Sequence, residues 1–275
     1  MAPRDIQYRP ILSAIGPLSL QIDIAYAEPP PGDYTFGFKH DGRERSYIVH
    51  VPRDTLTNPW PVVLNFHGGG SSAAGQQAYS RMDETSDREG FLAVYPSGTG
   101  IFGNRLLTWN AGACCGYALN NKVDDVGFVQ ALIDDLEKHA AIDRARIYAT
   151  GLSNGAMMAY WIAAKAPELL AAIAPVAGAQ IEVPFRPKAA IPILHIHSTA
   201  TRVTYGPCKD GIEVVLWKLT GAGHVWPGGA SDYLDRMLGS QSKILGPPTD
   251  VINANTQIWQ FLSRYHTNFL KQIPD

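Results

Sequence analysis

Hydrophobic and polar positions along this chain follow two periods in turn, one suited to strands and one to helices. Asp33 to Lys39 and Arg45 to Val51 read as two strands joined through His40-Asp41-Gly42, a hairpin signal. Pro61 to Phe66 is a continuous apolar run, as expected of a strand buried on both faces, and it ends in His67-Gly68-Gly69-Gly70. A helix is predicted across Ala73 to Arg88, then a strand over Phe91 to Pro96 and a long loop from Ser97 to Val123. Asp124 or Asp125 can cap a helix in which Val126, Val129, Leu132, Ile133 and Leu136 recur at helical spacing. Strand Arg146 to Thr150 leads into a tight turn and a helix-like run from Ala156 to Ala166. Ala172 to Ala177, Pro192 to His197 and Glu213 to Leu219 read as three more strands. Thr249 to His266 reads as a closing amphipathic helix, with Ile252, Ile258, Phe261 and Leu262 on its apolar side. Strands alternating with helices predict an α/β fold, a mostly parallel sheet covered on both faces with the first hairpin at an edge. No internal repeat or linker divides it. Residues 1–32, Pro-rich toward their end, read as an extended lead-in, and residues 33–275 as one domain.

Composition narrows the class. At 275 residues and 45% hydrophobic, the chain has ample material for one large core. A net charge of -2 gives no electrostatic footprint for nucleic acid or an anionic membrane, so neither is an expected partner. No apolar stretch reaches the length of a transmembrane helix. The start, Met1-Ala-Pro-Arg-Asp-Ile-Gln-Tyr, lacks the basic and apolar regions of a signal peptide. The expected location is therefore the cytoplasm, or outside the cell if the sequence begins after a removed signal. Cys114, Cys115 and Cys208 could form one long-range bridge from Cys208 to the adjacent pair, or stay as free thiols.

The chemistry centres on Gly151-Leu152-Ser153-Asn154-Gly155, a G-x-S-x-G between a strand and a helix. That setting is what a nucleophile elbow requires: a turn so tight that it lifts the serine hydroxyl clear of the sheet and tolerates only small neighbours. A serine hydroxyl needs a base within hydrogen-bond reach. His224, in Thr220-Gly221-Ala222-Gly223-His224-Val225-Trp226-Pro227-Gly228-Gly229, follows the last strand, and its glycines let the backbone bend to present the imidazole. His195 and His197 alternate with apolar residues and read as core or sheet-face histidines, while His67 shapes the Gly-rich loop. An oxyanion needs preorganised N–H donors, for which the backbone of Asn154 and of Gly69 are the candidates. No P-loop, G-x-G-x-x-G, H-E-x-x-H or C-x-x-C occurs, so no cofactor and no metal is expected.

The third member of a triad is harder to find. Thr199-Ala200-Thr201-Arg202-Val203-Thr204-Tyr205, beyond the strand ending at His197, carries no carboxylate. Asp210 is the leading candidate acid; Glu182, Asp232 and Asp235 are others. Asp124 and Asp125 are most simply helix caps.

Taken together, these residues resemble a known family. Trp109-Asn110-Ala111-Gly112, Cys114-Cys115-Gly116, Val123-Asp124-Asp125-Val126-Gly127-Phe128-Val129, Gly151 to Met158 and Gly223 to Gly228 are similar to the feruloyl esterase and polyhydroxybutyrate depolymerase family of α/β-hydrolases. The likeness runs from about Tyr34 to Leu262. It implies an α/β-hydrolase fold and hydrolysis of carboxylic esters, with feruloylated or acetylated plant polysaccharides or hydroxyalkanoate polyesters as substrates. Ser153 and His224 fall on the family's nucleophile and base. The family places an Asp and then a lid-like segment just past the strand ending at His197; this chain shows neither there. A barer site would expose apolar surface, which self-association could bury. Two readings follow: an ester hydrolase, or a catalytically degraded relative that binds a glycan or polyester. For either, Trp109 and Trp226 offer flat faces for substrate binding.

Overall fold

The computed structural model describes residues 29–53, 58–103, 105–179, 189–197, 201–206, 208, 212–238 and 243–267. Most of the lead-in, and the candidate acids Glu182 and Asp210, lie outside the described residues. One sheet of nine strands runs in the order β1-β2-β4-β3-β5-β6-β7-β9-β8. β1 (Gly32–His40), β2 (Arg43–Val51) and β4 (Leu92–Pro96) are joined antiparallel. From β4 the sheet is parallel through β3 (Trp60–Phe66), β5 (Ile142–Leu152), β6 (Ala172–Val176), β7 (Ile193–His197) and β9 (Val214–Lys218). Every residue of β3, β4 and β6 is buried, as their continuous apolar runs require, whereas β1 alternates along its length. This is the architecture of an α/β-hydrolase.

The two faces carry separate cores. On one, α4 (Asp125–Leu136) and α5 (Asn154–Lys165) bury Phe128, Leu132, Met158 and Ile162 against β3 and β5. On the other, α1 (Ala73–Ser80), α2 (Met82–Glu89) and α7 (Ala254–Leu262) bury Tyr79, Met82, Ile258 and Phe261. Among the described residues no helix is long and apolar enough to cross a membrane.

Five local features differ from the sequence expectation. The single helix across Ala73 to Arg88 is two, because Arg81 takes a left-handed conformation (φ 53°) and its N–H closes α1 on the Gln77 carbonyl. The closing helix is shorter than Thr249 to His266, starting where the Asn253 side chain accepts from the Thr256 N–H at 3.0 Å. Within the long loop, Gly116–Asn120 forms a short helix, α3. The segment past β7 includes a strand, β8 (Thr201–Tyr205), antiparallel to β9 at the sheet edge, and Ser231–Leu238 forms another helix, α6. The cysteine expectation also changes: Cys114 and Cys115 pair with each other, and Cys208 is free and exposed.

Asp124 caps α4 by accepting from the Gly127 N–H. Asp125 does not act as a cap. It is buried in an ion pair with Arg45 of β2 at 2.7 Å and accepts from the Asn110 N–H at 2.8 Å. Arg45 also donates to the Ser97 carbonyl and lies over the Phe128 ring.

A second polar cluster joins β1, β2 and α2. His50 has one ring nitrogen 2.7 Å from Asp33 and the other 3.1 Å from Asp87, with an Asp83 oxygen 3.9 Å away. Burial opposes its charge, but hydrogen bonds to Asp33 and Asp87 and the Asp83 carboxylate outweigh that and raise its pKa. Folding therefore strengthens proton binding at His50. The resulting stability is complete below the ordinary histidine pKa of about 6.5 and is lost as pH rises through the higher folded value. Urea midpoints of the native protein should thus fall between pH 6.5 and 8.5 more than those of His50→Gln.

Candidate active site

All the parallel strands end on one edge of the sheet, where ligands bind in open α/β folds. β5 ends there in the elbow. Ser153 has φ 56° and ψ -116°, a backbone conformation that β-carbon-bearing residues rarely adopt. The glycines either side of it are forced by crowding. A Cβ at Gly151 would sit 2.6 Å from the Phe66 carbonyl oxygen, and one at Gly155 would collide with the same oxygen and lie 2.6 Å from that of His67. The strand exit and helix start therefore press directly against the end of β3, and the half-buried Ser153 is left at the rim.

Asn154 is the first residue of α5, so its N–H is among those the helix itself leaves without a partner. Its side chain is buried and clamps the neighbouring loop: Oδ1 accepts from the Trp109 N–H at 2.8 Å, and Nδ2 donates to the Trp109 carbonyl at 3.2 Å. Gly69 faces it, and a Cβ there would be 3.6 Å from that of Asn154. His67, at the head of the Gly-rich loop, is fully buried. The Gly98 N–H can only donate, so Nε2 of His67 accepts it at 3.0 Å and Nδ1–H donates to the Gly68 carbonyl at 2.8 Å. Burial pushes its pKa down to about 4, so it stays neutral and structural.

His224 is presented from the loop after β9. Close approach makes Gly223 necessary: a Cβ there would strike the Leu245 carbonyl, while its N–H donates to the Pro247 carbonyl at 2.8 Å. Ser153 and His224 line one cavity of about 920 Å³. It is also lined by Gly68 to Ser72 and Leu152, by Gln76 and Tyr79 of α1, by Phe102, Arg105 and Leu106 of the long loop, and by Tyr233, Leu234 and Met237 of α6. The lining is largely apolar, and Phe102, Leu106 and Met237 are more than half exposed at its mouth. Partial burial, and then the nearby His197, lower the pKa of His224.

The two tryptophans are corrections. Trp109 is fully buried, with its indole N–H donating to the His67 carbonyl at 3.0 Å and its ring edge-on to Phe66. Trp226 is buried too and donates to Asn255 Oδ1 at 2.9 Å. Both brace the loops that carry the site from beneath, and neither offers a face to a ligand. Asp232 and Asp235 lie exposed on α6, where Asp232 pairs with Arg236. α6 itself was missed, although Tyr233, Leu234 and Met237 after Ser231 form a short helical stripe that could have signalled it.

The family model for esterase PHB depolymerases matches residues 45–204, which run from within β2 into β8 and include the elbow. The chain belongs to the esterase PHB depolymerase family. The chain is 26% identical over 226 residues to the bifunctional acetylxylan esterase/xylanase XynS20E of Neocallimastix patriciarum, covering 68% of the chain and 32% of the relative. It is 32% identical over 163 residues to the putative esterase NocK of Nocardia uniformis subsp. tsuyamanensis, covering 58% of the chain and 46% of that protein. The poly(3-hydroxyalkanoate) depolymerase C of Paucimonas lemoignei is 30% identical over 130 residues, 47% of the chain and 30% of the depolymerase. This family member thus spans less than half the length of these relatives. Its fold matches that of the dienelactone hydrolase-like promiscuous phosphotriesterase P91 from metagenomic libraries, with a TM-score of 0.60 and 16% identity over 86% of the chain and all of P91.

Proposed function

We propose that this chain hydrolyses carboxylic esters through an acyl-enzyme on Ser153. The observation that carries the reading is a serine at a strained elbow lining the same cavity as His224, beside the start of α5 and the Gly68-Gly69 turn. His224 takes the Ser153 hydroxyl proton as the oxygen attacks the ester carbonyl, then gives it to the departing alcohol. The N–H groups of Asn154 and Gly69 stabilise the oxyanion that forms. Water activated by the same imidazole releases the acid and restores the serine. A lowered His224 pKa keeps the base unprotonated near neutral pH. The apolar, open cavity suits esters with apolar acyl groups: feruloyl or acetyl esters of plant polysaccharide, or short hydroxyalkanoate polyesters.

A second reading starts from His224, on which, among the described residues, burial and another histidine rather than a carboxylate act. On that reading the chain binds a glycan or polyester without efficient turnover. Labelling by a fluorophosphonate separates the two. Stoichiometric labelling of the native chain, lost in Ser153→Ala and strongly slowed in His224→Ala, is the expected result. An unlabelled native chain would leave the binding reading.

A further inference from the structure

The cavity that holds Ser153 and His224 is mostly apolar, but one strip of it is polar and short of partners. Gln76 and Tyr79 stand three residues apart on α1, so they share a helix face; both line the cavity, and they are only 2% and 5% exposed. Gln76 Nε2 donates to Asn65 Oδ1 at 2.8 Å, and Asn65 Nδ2 donates to Ser80 Oγ at 3.1 Å. Ser80 bonds in turn to Tyr95, whose hydroxyl donates to Asp83 at 2.6 Å. The Asp83 carboxylate can only accept, which fixes each donor behind it and turns the Gln76 nitrogen toward Asn65. Gln76 Oε1 is left with no donor among the described residues. The Tyr79 oxygen accepts the Trp226 N–H at 2.9 Å, and its own proton has no acceptor among the described residues. Beside this pair, a Cβ on Gly75 would lie 2.6 Å from Ser71 Oγ, 3.2 Å from the Tyr233 hydroxyl and 3.3 Å from Ser72 Oγ, so three more hydroxyls converge on the bare face of α1. From this arrangement we propose that Ser71, Gln76, Tyr79 and Tyr233 form a subsite for a hydroxyl group of the substrate, so that the site selects hydroxyl-bearing esters over plain polyester. The inference rests on the reading of this cavity as the place of ester hydrolysis.

The strip adjoins the reaction centre. The Ser71 N–H donates to the Gly68 carbonyl at 3.1 Å, so the hydroxyls begin where the Gly68-Gly69 turn ends. What the strip lacks decides what it recognises. Gln76 Oε1 is an acceptor and needs a donor; the Tyr79 O–H is a donor and needs an acceptor. Burial pushes the Tyr79 pKa up to about 12, so that proton stays in place. A hydroxyl is both donor and acceptor and can satisfy the two groups at once. The interior units of a hydroxyalkanoate polyester carry only carbonyl and ester oxygens, which accept. Such a chain can pair with Tyr79 but leaves Gln76 Oε1 unmet in a dry cavity, and an unmet buried acceptor is costly. A few placed polar groups in an apolar cavity are the usual means of fixing a ligand's orientation. Two sources supply the hydroxyl: a sugar on the alcohol side of the ester, or a phenol on the acyl side.

The test compares kcat/KM within two matched pairs of esters, each pair differing only in hydroxyls on one side. A monoacetylated methyl xyloside against cyclohexyl acetate reports the alcohol side, and methyl p-coumarate against methyl cinnamate reports the acyl side. In Tyr233→Phe, Ser71→Ala and Gln76→Met the ratio of hydroxylated to plain ester should fall by about 3–10-fold for one of the pairs, as loss of a hydrogen bond to that hydroxyl. The pair that responds names the source. A merely structural role would lower both members equally and leave the ratio where it was. Ratios within about twofold of native in both pairs for all three variants would overturn the inference. Should the variants fold poorly, the native chain supplies a second measurement. Methyl xyloside or p-coumarate should compete with p-nitrophenyl acetate at a concentration at least about tenfold lower than cyclohexanol or cinnamate, and equal inhibition within each pair also overturns it. Hydrolysis of these esters unaffected by Ser153→Ala would instead bring down the serine reading, and calorimetric binding of the same four compounds to the native chain still decides the subsite.

Discussion

Ser153→Ala is expected to lower kcat for p-nitrophenyl acetate by at least about 10²-fold, with the melting temperature unchanged or raised. The size of the loss is informative in itself. In a serine hydrolase with a complete triad, removing the nucleophile costs roughly 10⁶ in kcat, while removing the acid alone costs roughly 10⁴. If nothing replaces the acid here, about 10² of rate remains for the serine to account for. A loss near 10² therefore marks a serine and histidine working unaided, and a loss approaching 10⁶ marks a working substitute for the acid. Relief of the positive φ at Ser153 does not follow from alanine, which also bears a β-carbon, so the elbow should persist. Circular dichroism of the variant checks that the loss is chemical.

The largest effect on stability is expected at Asp125→Ala, about 3–5 kcal/mol. The charged ends of Arg45 and Asp125 are both buried, so truncating the acid leaves a guanidinium in the interior with its principal partner gone. Two of the Arg45 side-chain nitrogens, Nε and Nη1, have no hydrogen-bond partner among the described residues, which leaves little compensation in reserve. The Asn110 N–H would also lose its acceptor. Asp125→Asn keeps that acceptor and should cost less. Urea denaturation of the two variants beside the native chain measures the difference, and equal midpoints for Asp125→Ala and the native chain would contradict the account.

Much of the fold was legible because burial on both faces writes an unambiguous pattern. The runs that became β3, β4, β6 and β7 are short, apolar and bounded by turns, and the helix after Asp124 repeats at the right period. What escaped reading was governed by partners distant in sequence. Asp125 looked like a cap because Arg45 lies 80 residues away. Trp109 and Trp226 looked like ligand platforms because they stand among glycines and polar residues, while the His67 carbonyl and Asn255 that hold their indoles in the core are revealed only by the fold. Arg81 breaks a helix with no glycine or proline to announce it. β8 is an exposed edge strand, so its residues carry no core signature, although Thr-Arg-Val-Thr-Tyr is a β-prone string. At the site, the elbow and the histidine loop could be picked out from their glycines. Elsewhere, the contact of Tyr160 with His195 of β7 could not, because Tyr160 reaches it from another element.

The Asn154 clamp has a consequence for how the protein fails under heat. Both ends of one amide tie the elbow helix to the backbone of Trp109, whose indole is in turn tied to the end of β3. Elbow, loop and central strand are thereby parts of one cooperative unit, and none can open while the others hold. Catalytic competence and the sheet should accordingly be lost at the same temperature, with no interval in which a folded protein has already lost its elbow.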